Sequence, residues 1–207
     1  MDSQKSSKAT TPAPRKPQRK RGKERVSALL AAGAEVFAES GYDAATMTGI
    51  AARAGASIGS LYQFFPTKYL LAETLHAEQI GVLLERLGEL RTKAEGKSAA
   101  DLADDVFQTL TAFLESHPAF VPLADRRDID KDRKAKTRAQ LRQRITDLMS
   151  HAVPPLPPGK AEVVATVILQ LMRSVIALLN DREQPLRDAV LAELRVMLRN
   201  HLEKVSG

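Results

Sequence analysis

Thr46-Met47-Thr48-Gly49-Ile50-Ala51-Ala52-Arg53-Ala54-Gly55-Ala56-Ser57-Ile58-Gly59-Ser60-Leu61-Tyr62-Gln63-Phe64-Phe65-Pro66-Thr67-Lys68 is the stretch whose reading decides the fold of this chain. Thr46 is placed to cap a short helix running through Ala54, and Gly55 turns the chain. Ser57 is placed to cap a second short helix that reaches about Phe64. That second helix carries hydroxyls, an amide and a phenol, and a lysine follows it. Two short helices joined at a glycine, the second rich in hydrogen-bonding side chains, predict a helix-turn-helix whose second helix enters a DNA major groove.

Upstream, Val26, Leu29, Leu30, Gly33, Val36 and Phe37 fall on one helical face, and Ser40-Gly41 ends that helix. Farther upstream the chain is basic. Residues 1–25 hold nine Lys or Arg against Asp2 and Glu24, a net +7, so the remaining 182 residues sum to −1 of the total +6. Within residues 42–69 the basic groups are Arg53 and Lys68. A neutral body with its excess charge beside the predicted reader suggests a polyanionic partner. Residues 1–18, rich in Ser, Thr, Pro and Lys without periodicity, read as a disordered arm.

Downstream, Thr67 opens a long helix after Pro66, with Leu71, Leu75, Ile80, Leu83, Leu87 and Leu90 at helical spacing. Ser98 to Asp101 reads as a capping box, and Leu102, Val106, Leu110, Phe113 and Leu114 point inward behind it. A short piece at Phe120–Ala124 leads to a charged helix from about Ile129 to His151, with a thin stripe of Leu141, Ile145, Leu148 and Met149. Its charges, like Asp104-Asp105, read as a solvated face laced by salt bridges within the helix. The proline-rich loop Val153 to Gly159 separates the last helical pair. Residues 161–179 are apolar on most of their circumference, and a final helix from about Leu186 to Val205 repeats Leu191, Leu194, Leu198 and Leu202. A helix this apolar is either central to a core or shared between a core and a subunit interface.

Composition excludes several classes. The chain of 207 residues has no Cys, hence no disulfide frame, thiol nucleophile or cysteine metal site, as befits a reducing cytosol. No apolar run approaches the roughly 20 residues of a membrane span, and the basic N-terminus lacks the apolar stretch of a signal peptide. The four histidines, His76, His117, His151 and His201, share no ligand-type spacing, so no metal is expected. Hydrolase, nucleotide-binding and zinc-protease motifs are missing from the sequence, so neither a cofactor nor catalysis is expected.

The region around residues 20–75 resembles the TetR family of bacterial transcriptional repressors. The likeness rests on linked features: Phe37-Ala38-Glu39-Ser40-Gly41-Tyr42, Thr46, Ile50-Ala51, Ala54-Gly55, Ser57, Gly59-Ser60-Leu61-Tyr62, Phe65, and Lys68 with Leu71. Gly49, Ala56 and Ile58 depart from the family's usual residues, which makes the second helix marginal, thins a core contact and replaces a frequent lysine. The resemblance implies a homodimer formed through the last two helices, a DNA operator as partner, and a small-molecule inducer held in the C-terminal domain.

The residues expected to meet DNA are Thr46, Thr48, Ser57, Ile58, Gly59, Ser60, Tyr62, Gln63 and Lys68. Hydroxyls, the Gln amide and the Tyr phenol suit phosphates and base edges, and Ile58 suits a thymine methyl. Gly59 inside a short helix suggests the close approach of another backbone. Lys68, in the first turn of its helix, is expected to anchor a phosphate together with the helix N-terminus. Arg19, Lys20, Arg21 and Lys23 are expected to add backbone contacts. Phe107, Phe113, His117, Phe120, Gln170 and Arg173 are the candidate pocket residues, where Arg173 pairs with an acid of a neighbouring helix or across a dimer interface, or receives an anionic ligand. On the interface implied by the resemblance, Val164, Ile168, Leu171, Val175, Leu191, Leu194 and Leu198 face the partner subunit.

The expected molecule is all-α, with about nine helices. It comprises a basic arm (1–18), a helix-turn-helix domain (19–67) and a helical ligand-binding and dimerisation domain (68–207). It is expected to be a cytoplasmic, ligand-responsive repressor with no membrane partner. A sequence-tolerant DNA architectural protein and a helical adaptor for other proteins are the competing classes.

Overall fold

A computed structural model of the chain describes residues 20–124, 126, 131–180 and 185–206. The described residues contain nine α-helices and no strand: α1 (Lys20–Ala44), α2 (Met47–Arg53), α3 (Ile58–Phe64), α4 (Lys68–Leu90), α5 (Ala99–Ser116), α6 (Phe120–Ala124), α7 (Lys131–Met149), α8 (Lys160–Asn180) and α9 (Arg187–Ser206). The arm of residues 1–18 and the cation at Arg19 lie outside the described residues.

The described residues form two compact units that part between Leu75 and His76, inside α4. In the first unit, Leu29, Leu30, Phe37, Ile50, Leu61, Phe65 and Leu71 are buried together as its core. Gly41 (φ 76) breaks the helical path of α1, and Gly55 (φ 59) makes the turn between α2 and α3. Both occupy the left-handed region, which a side chain with a Cβ rarely enters. The Thr67 hydroxyl accepts the N–H of Leu70 at 3.1 Å and so caps α4, as the sequence predicts.

In the second unit the inward face of α5 matches the expected pattern, with Leu102, Val106, Leu110, Phe113 and Leu114 all buried. Ser98 accepts the N–H of Asp101 at 3.1 Å and caps α5. Along α7 the thin stripe holds, since Ile145, Leu148 and Met149 are buried against the same core. The acids of α5 differ from the reading of salt bridges within one helix. Asp104 receives Arg195 Nε at 2.9 Å and Arg199 Nη1 at 2.6 Å, and Arg199 Nη2 reaches Asp101 at 3.0 Å, which ties α5 to α9. Asp105 pairs with Lys97 at 2.6 Å. Desolvation opposes the ionised form of Asp104, but the hydrogen bonds and charges of the two arginines together outweigh it and hold the carboxyl below its ordinary range.

Among the described residues one helix, α8, has the length and mean composition of a membrane span without being an unbroken apolar run. Lys160–Leu178, 19 residues of mean hydropathy 1.8, is long and apolar enough by composition. Gln170 and Arg173 interrupt it, and its two sides have different company: Val164, Ile168 and Val175 are buried, whereas Val163 and Val167 are exposed.

Candidate nucleic-acid interface and ligand cavity

The two short helices are positioned by what they bury. Ile50, Ala51, Leu61 and Phe65 turn inward, and the helical period then leaves Ile58, Gly59, Tyr62 and Gln63 outward on α3. Ile58 is 40% and Tyr62 49% exposed, high values for large apolar or aromatic side chains in so small a unit. Thr46, Thr48 and Ser57 are exposed as well. Thr46 Oγ1 accepts the N–H of Gly49 at 3.0 Å and Ser57 Oγ accepts that of Ser60 at 3.2 Å, so both short helices are capped. Among the described residues nothing lies within 4 Å of where a Cβ on Gly59 would stand. None of these neighbours therefore requires that glycine, which leaves the space open to another molecule.

Two expected DNA contacts are placed differently. The Ser60 hydroxyl is buried and has no hydrogen-bond partner among the described residues, so it points away from the surface that Tyr62 and Gln63 present. Lys68 spends its three ammonium protons on the carbonyl oxygens of Tyr42 (2.7 Å), Asp43 (3.0 Å) and Ala45 (2.9 Å). These carbonyls belong to the end of α1 and the residue after it, where the helix leaves acceptors without partners. In this arrangement the ammonium expected to anchor a phosphate holds the end of α1 to the start of α4.

Arg53 is also committed. Its Nη1 donates to Glu35 (2.9 Å) and Glu39 (2.8 Å), and its Nη2 to Glu39 (2.7 Å), all from α2 to α1. The hydrogen bonds from Arg53 hold the Glu39 carboxyl below the ordinary carboxylate range, against the opposing effect of desolvation. Both cations of residues 42–69 are thus used inside the unit. Exposed cations stand instead at Lys20, Arg21 and Lys23, in the first turn of α1.

The second unit contains a cavity of about 550 Å³, a size typical of small-molecule pockets. Of the six predicted pocket residues, Phe113, Phe120, Gln170 and Arg173 line it. Phe107 does not, being buried in the core, and neither does His117, which follows α5 and stacks on Phe113 at 4.4 Å between ring centres. The sequence reading missed His76 and the α7 cations Arg133, Lys134, Arg138 and Arg142, which also line the cavity. The signal was present: Lys134, Arg138 and Arg142 recur every four residues along one edge of α7. The charged face read as wholly solvated therefore borders a cavity along one side. His76 stacks on Phe120 at 5.3 Å, and its buried Nε2 has no hydrogen-bond partner among the described residues. Burial, aided by Arg126 and Lys134, pushes its pKa down to about 4, so the ring is neutral near pH 7.

The predicted interface residues are also relocated. Val164, Ile168, Val175 and Leu198 are buried within the subunit's own core, and Leu171, Leu191 and Leu194 pack against it half-buried. None of the first four can face a partner. Among the described residues the large exposed apolar side chains of this region are Val163 (52%), Val167, Leu186, Val196 and Met197 (60%), one position along the helix from several of those expected. A one-residue step rotates a helical position by about 100°. On a helix with apolar side chains on both flanks, sequence periodicity cannot choose between them.

Comparison with known proteins agrees with both units. Residues 29–75 match the family described as bacterial regulatory proteins, tetR family, and residues 98–202 match the tetracyclin repressor-like C-terminal domain. No curated protein matches the sequence. Among solved structures, a TetR-family transcriptional regulator from Streptomyces coelicolor is similar at 27% identity and TM-score 0.65, over 88% of this chain and 98% of that one. NalD of Pseudomonas aeruginosa, the secondary repressor of the MexAB-OprM multidrug efflux pump, shares the fold at 20% identity and TM-score 0.60, over 88% and 97%. FadR of Bacillus subtilis, solved in complex with stearoyl-CoA, shares it at 19% identity and TM-score 0.66, over 87% and 98%.

Proposed function

Because this chain belongs to the TetR family of transcriptional regulators, we propose that it is a homodimeric repressor released from a near-palindromic operator by a small molecule. The observation that carries the reading is the outward face of α3. Ile58, Gly59, Tyr62 and Gln63 are exposed on a helix that Ser57 caps and that Leu61 and Phe65 anchor. Exposing an Ile and a Tyr side by side is unfavourable in water and makes sense on a surface that another molecule covers. Gln63 suits an adenine edge, Ile58 a thymine methyl, and the Tyr62 hydroxyl a phosphate. Thr46, Thr48 and Ser57 stand beside them with exposed side chains, and the first turn of α1 offers Lys20, Arg21 and Lys23 to the DNA backbone.

The exposed apolar side chains of α8 and α9 support a second copy as partner. Val163, Val167, Val196 and Met197 would lose water on dimerisation, each such burial contributing about 1.5–3 kcal/mol at most. Each subunit of the dimer would then present α3 to one half-site, with half-sites about 34–36 Å apart. NalD is a repressor and FadR holds stearoyl-CoA. Both support a repressor whose cavity takes an inducer. The inducer would act by binding better to the conformer whose reading helices no longer match the half-site spacing. The protein works where bacterial chromosomal DNA lies, in the cytoplasm, and by binding rather than catalysis.

Gel shifts against random DNA and against the intergenic DNA upstream of its own gene test the reading. Preference for the intergenic fragment is expected, lost in Tyr62→Ala without any change in thermal unfolding. Equal affinity for both DNAs would instead mark an architectural protein, and no DNA binding would mark an adaptor.

A further inference from the structure

We infer that the cavity of the C-terminal unit takes an amphipathic anion, a molecule with an apolar body and one anionic head, the head held between Arg138 of α7 and Arg173 of α8. This deepens, and rests on, the reading of that cavity as an inducer site. The lining grades from one chemistry to another. Its buried part is apolar: Leu83, Leu110, Phe113, Phe120 and Met172. Its exposed part is cationic, with Arg133, Arg138 and Arg142 from α7 and Arg173 from α8. Among the described residues no Asp or Glu lines it.

Two of these cations lack an anion of their own among the described residues. Arg142 has Glu162 at 3.9 Å, and Lys134 donates to the carbonyl of Arg126 at 2.8 Å. Arg173 has only the side-chain amide of Gln170 at 3.5 Å, and Arg138 has no ion pair with any described residue. Guanidinium groups stay charged and present paired donors that match a carboxylate or phosphate. Two of them, from two helices lining one cavity that no described carboxylate lines, define where a negative group is welcome and a positive one is repelled. The apolar remainder excludes a ligand that is polar throughout, since its groups would lose water against Phe113 and Phe120 without gaining partners. His76, neutral and with its Nε2 buried, leaves one polar contact within that apolar part. A nucleic-acid strand is a poorer fit, because its phosphates would have nothing to meet beyond the rim.

Isothermal titration of the full chain with four probes of one chain length tests this: tetradecanoate, tetradecanoyl-coenzyme A, tetradecanol and tetradecyltrimethylammonium, each below its micellar concentration. At least one of the two anions should bind at one per chain, and about tenfold or more tighter than the alcohol or the ammonium. Binding of the free acid identifies a carboxylate head, whereas binding of the thioester alone identifies a phosphate head. The double variant Arg138→Gln with Arg173→Gln should lose that advantage while its melting temperature and helical signal stay unchanged. Equal binding of alcohol, ammonium and anion, an unaffected double variant, or no binding of any probe overturns the assignment. Operator binding in the gel shift is read separately. A chain that binds its operator but no anion leaves the regulator standing and removes this ligand class. A chain that binds the anion but no DNA does the reverse.

Discussion

The ammonium of Lys68 lies 2.7 Å from the carbonyl oxygen of Tyr42 and 4.6 Å from the centre of the same residue's ring. One side chain thus closes the end of α1 by hydrogen bonds and packs on its last aromatic by a cation–π contact. It joins the start of α4 to a point 26 residues earlier in the chain. The side chain expected to anchor a phosphate thus ties the two ends of this unit together.

Lys68→Ala should therefore cost stability first. Removing charge-assisted hydrogen bonds to three carbonyls, those of Tyr42 and Ala45 in part-buried surroundings, is expected to cost about 1–3 kcal/mol in thermal or urea unfolding. DNA affinity should fall with it. Reduced affinity at unchanged stability would return the ammonium to the phosphate.

The exposed and buried faces of α8 and α9 predict opposite failures. Val167→Glu and Met197→Glu should leave a folded chain that sediments as a monomer, because each would place an unpaired charge in the proposed interface. Val164→Glu, whose side chain is within the subunit core, should unfold the chain instead. Folded dimers in the first two variants would move the interface elsewhere.

Deleting residues 1–18 removes Lys5, Lys8, Arg15 and Lys16. Operator affinity should drop and its salt dependence flatten by up to about 0.9 in log–log slope for each phosphate that the arm no longer neutralises. The preferred DNA sequence should not change if, as proposed, the exposed groups of α3 read it. A different site recovered by selection would show that the arm reads bases.

Acid should weaken the fold through His76. Its folded pKa of about 4 lies below the roughly 6.5 of a free histidine. Between those values the unfolded chain binds a proton that the folded chain refuses, so stability rises with pH across that window. Unfolding midpoints measured from about pH 7 down to about pH 5 should fall, and fall less in His76→Gln. Identical pH dependence in the variant would assign the acid sensitivity to other groups.

Much of the molecule is legible in the sequence because its signals are local. The caps at Thr46, Ser57, Thr67 and Ser98, the turns at Gly41 and Gly55, and the apolar spacing of α5 each act within a turn or two of helix. They determine the succession of helices, the helix-turn-helix and the outward set Ile58, Tyr62 and Gln63. The sequence also places its excess charge upstream of a reader with two cations of its own. Tertiary structure alone decided where those two cations go. Arg53 and Lys68 are spent on partners 14 to 26 residues away, so the reader is left without a free cation among residues 42–69. Distance in sequence also hid the ties of Asp104 to Arg195 and Arg199, 91 and 95 residues on, and the convergence of α7 and α8 cations on one cavity. On α8, apolar nearly all round, periodicity could not say which flank meets the core and which stays exposed. Only the packing of neighbouring helices breaks that symmetry, because burial is a property of what surrounds a side chain and not of the side chain itself.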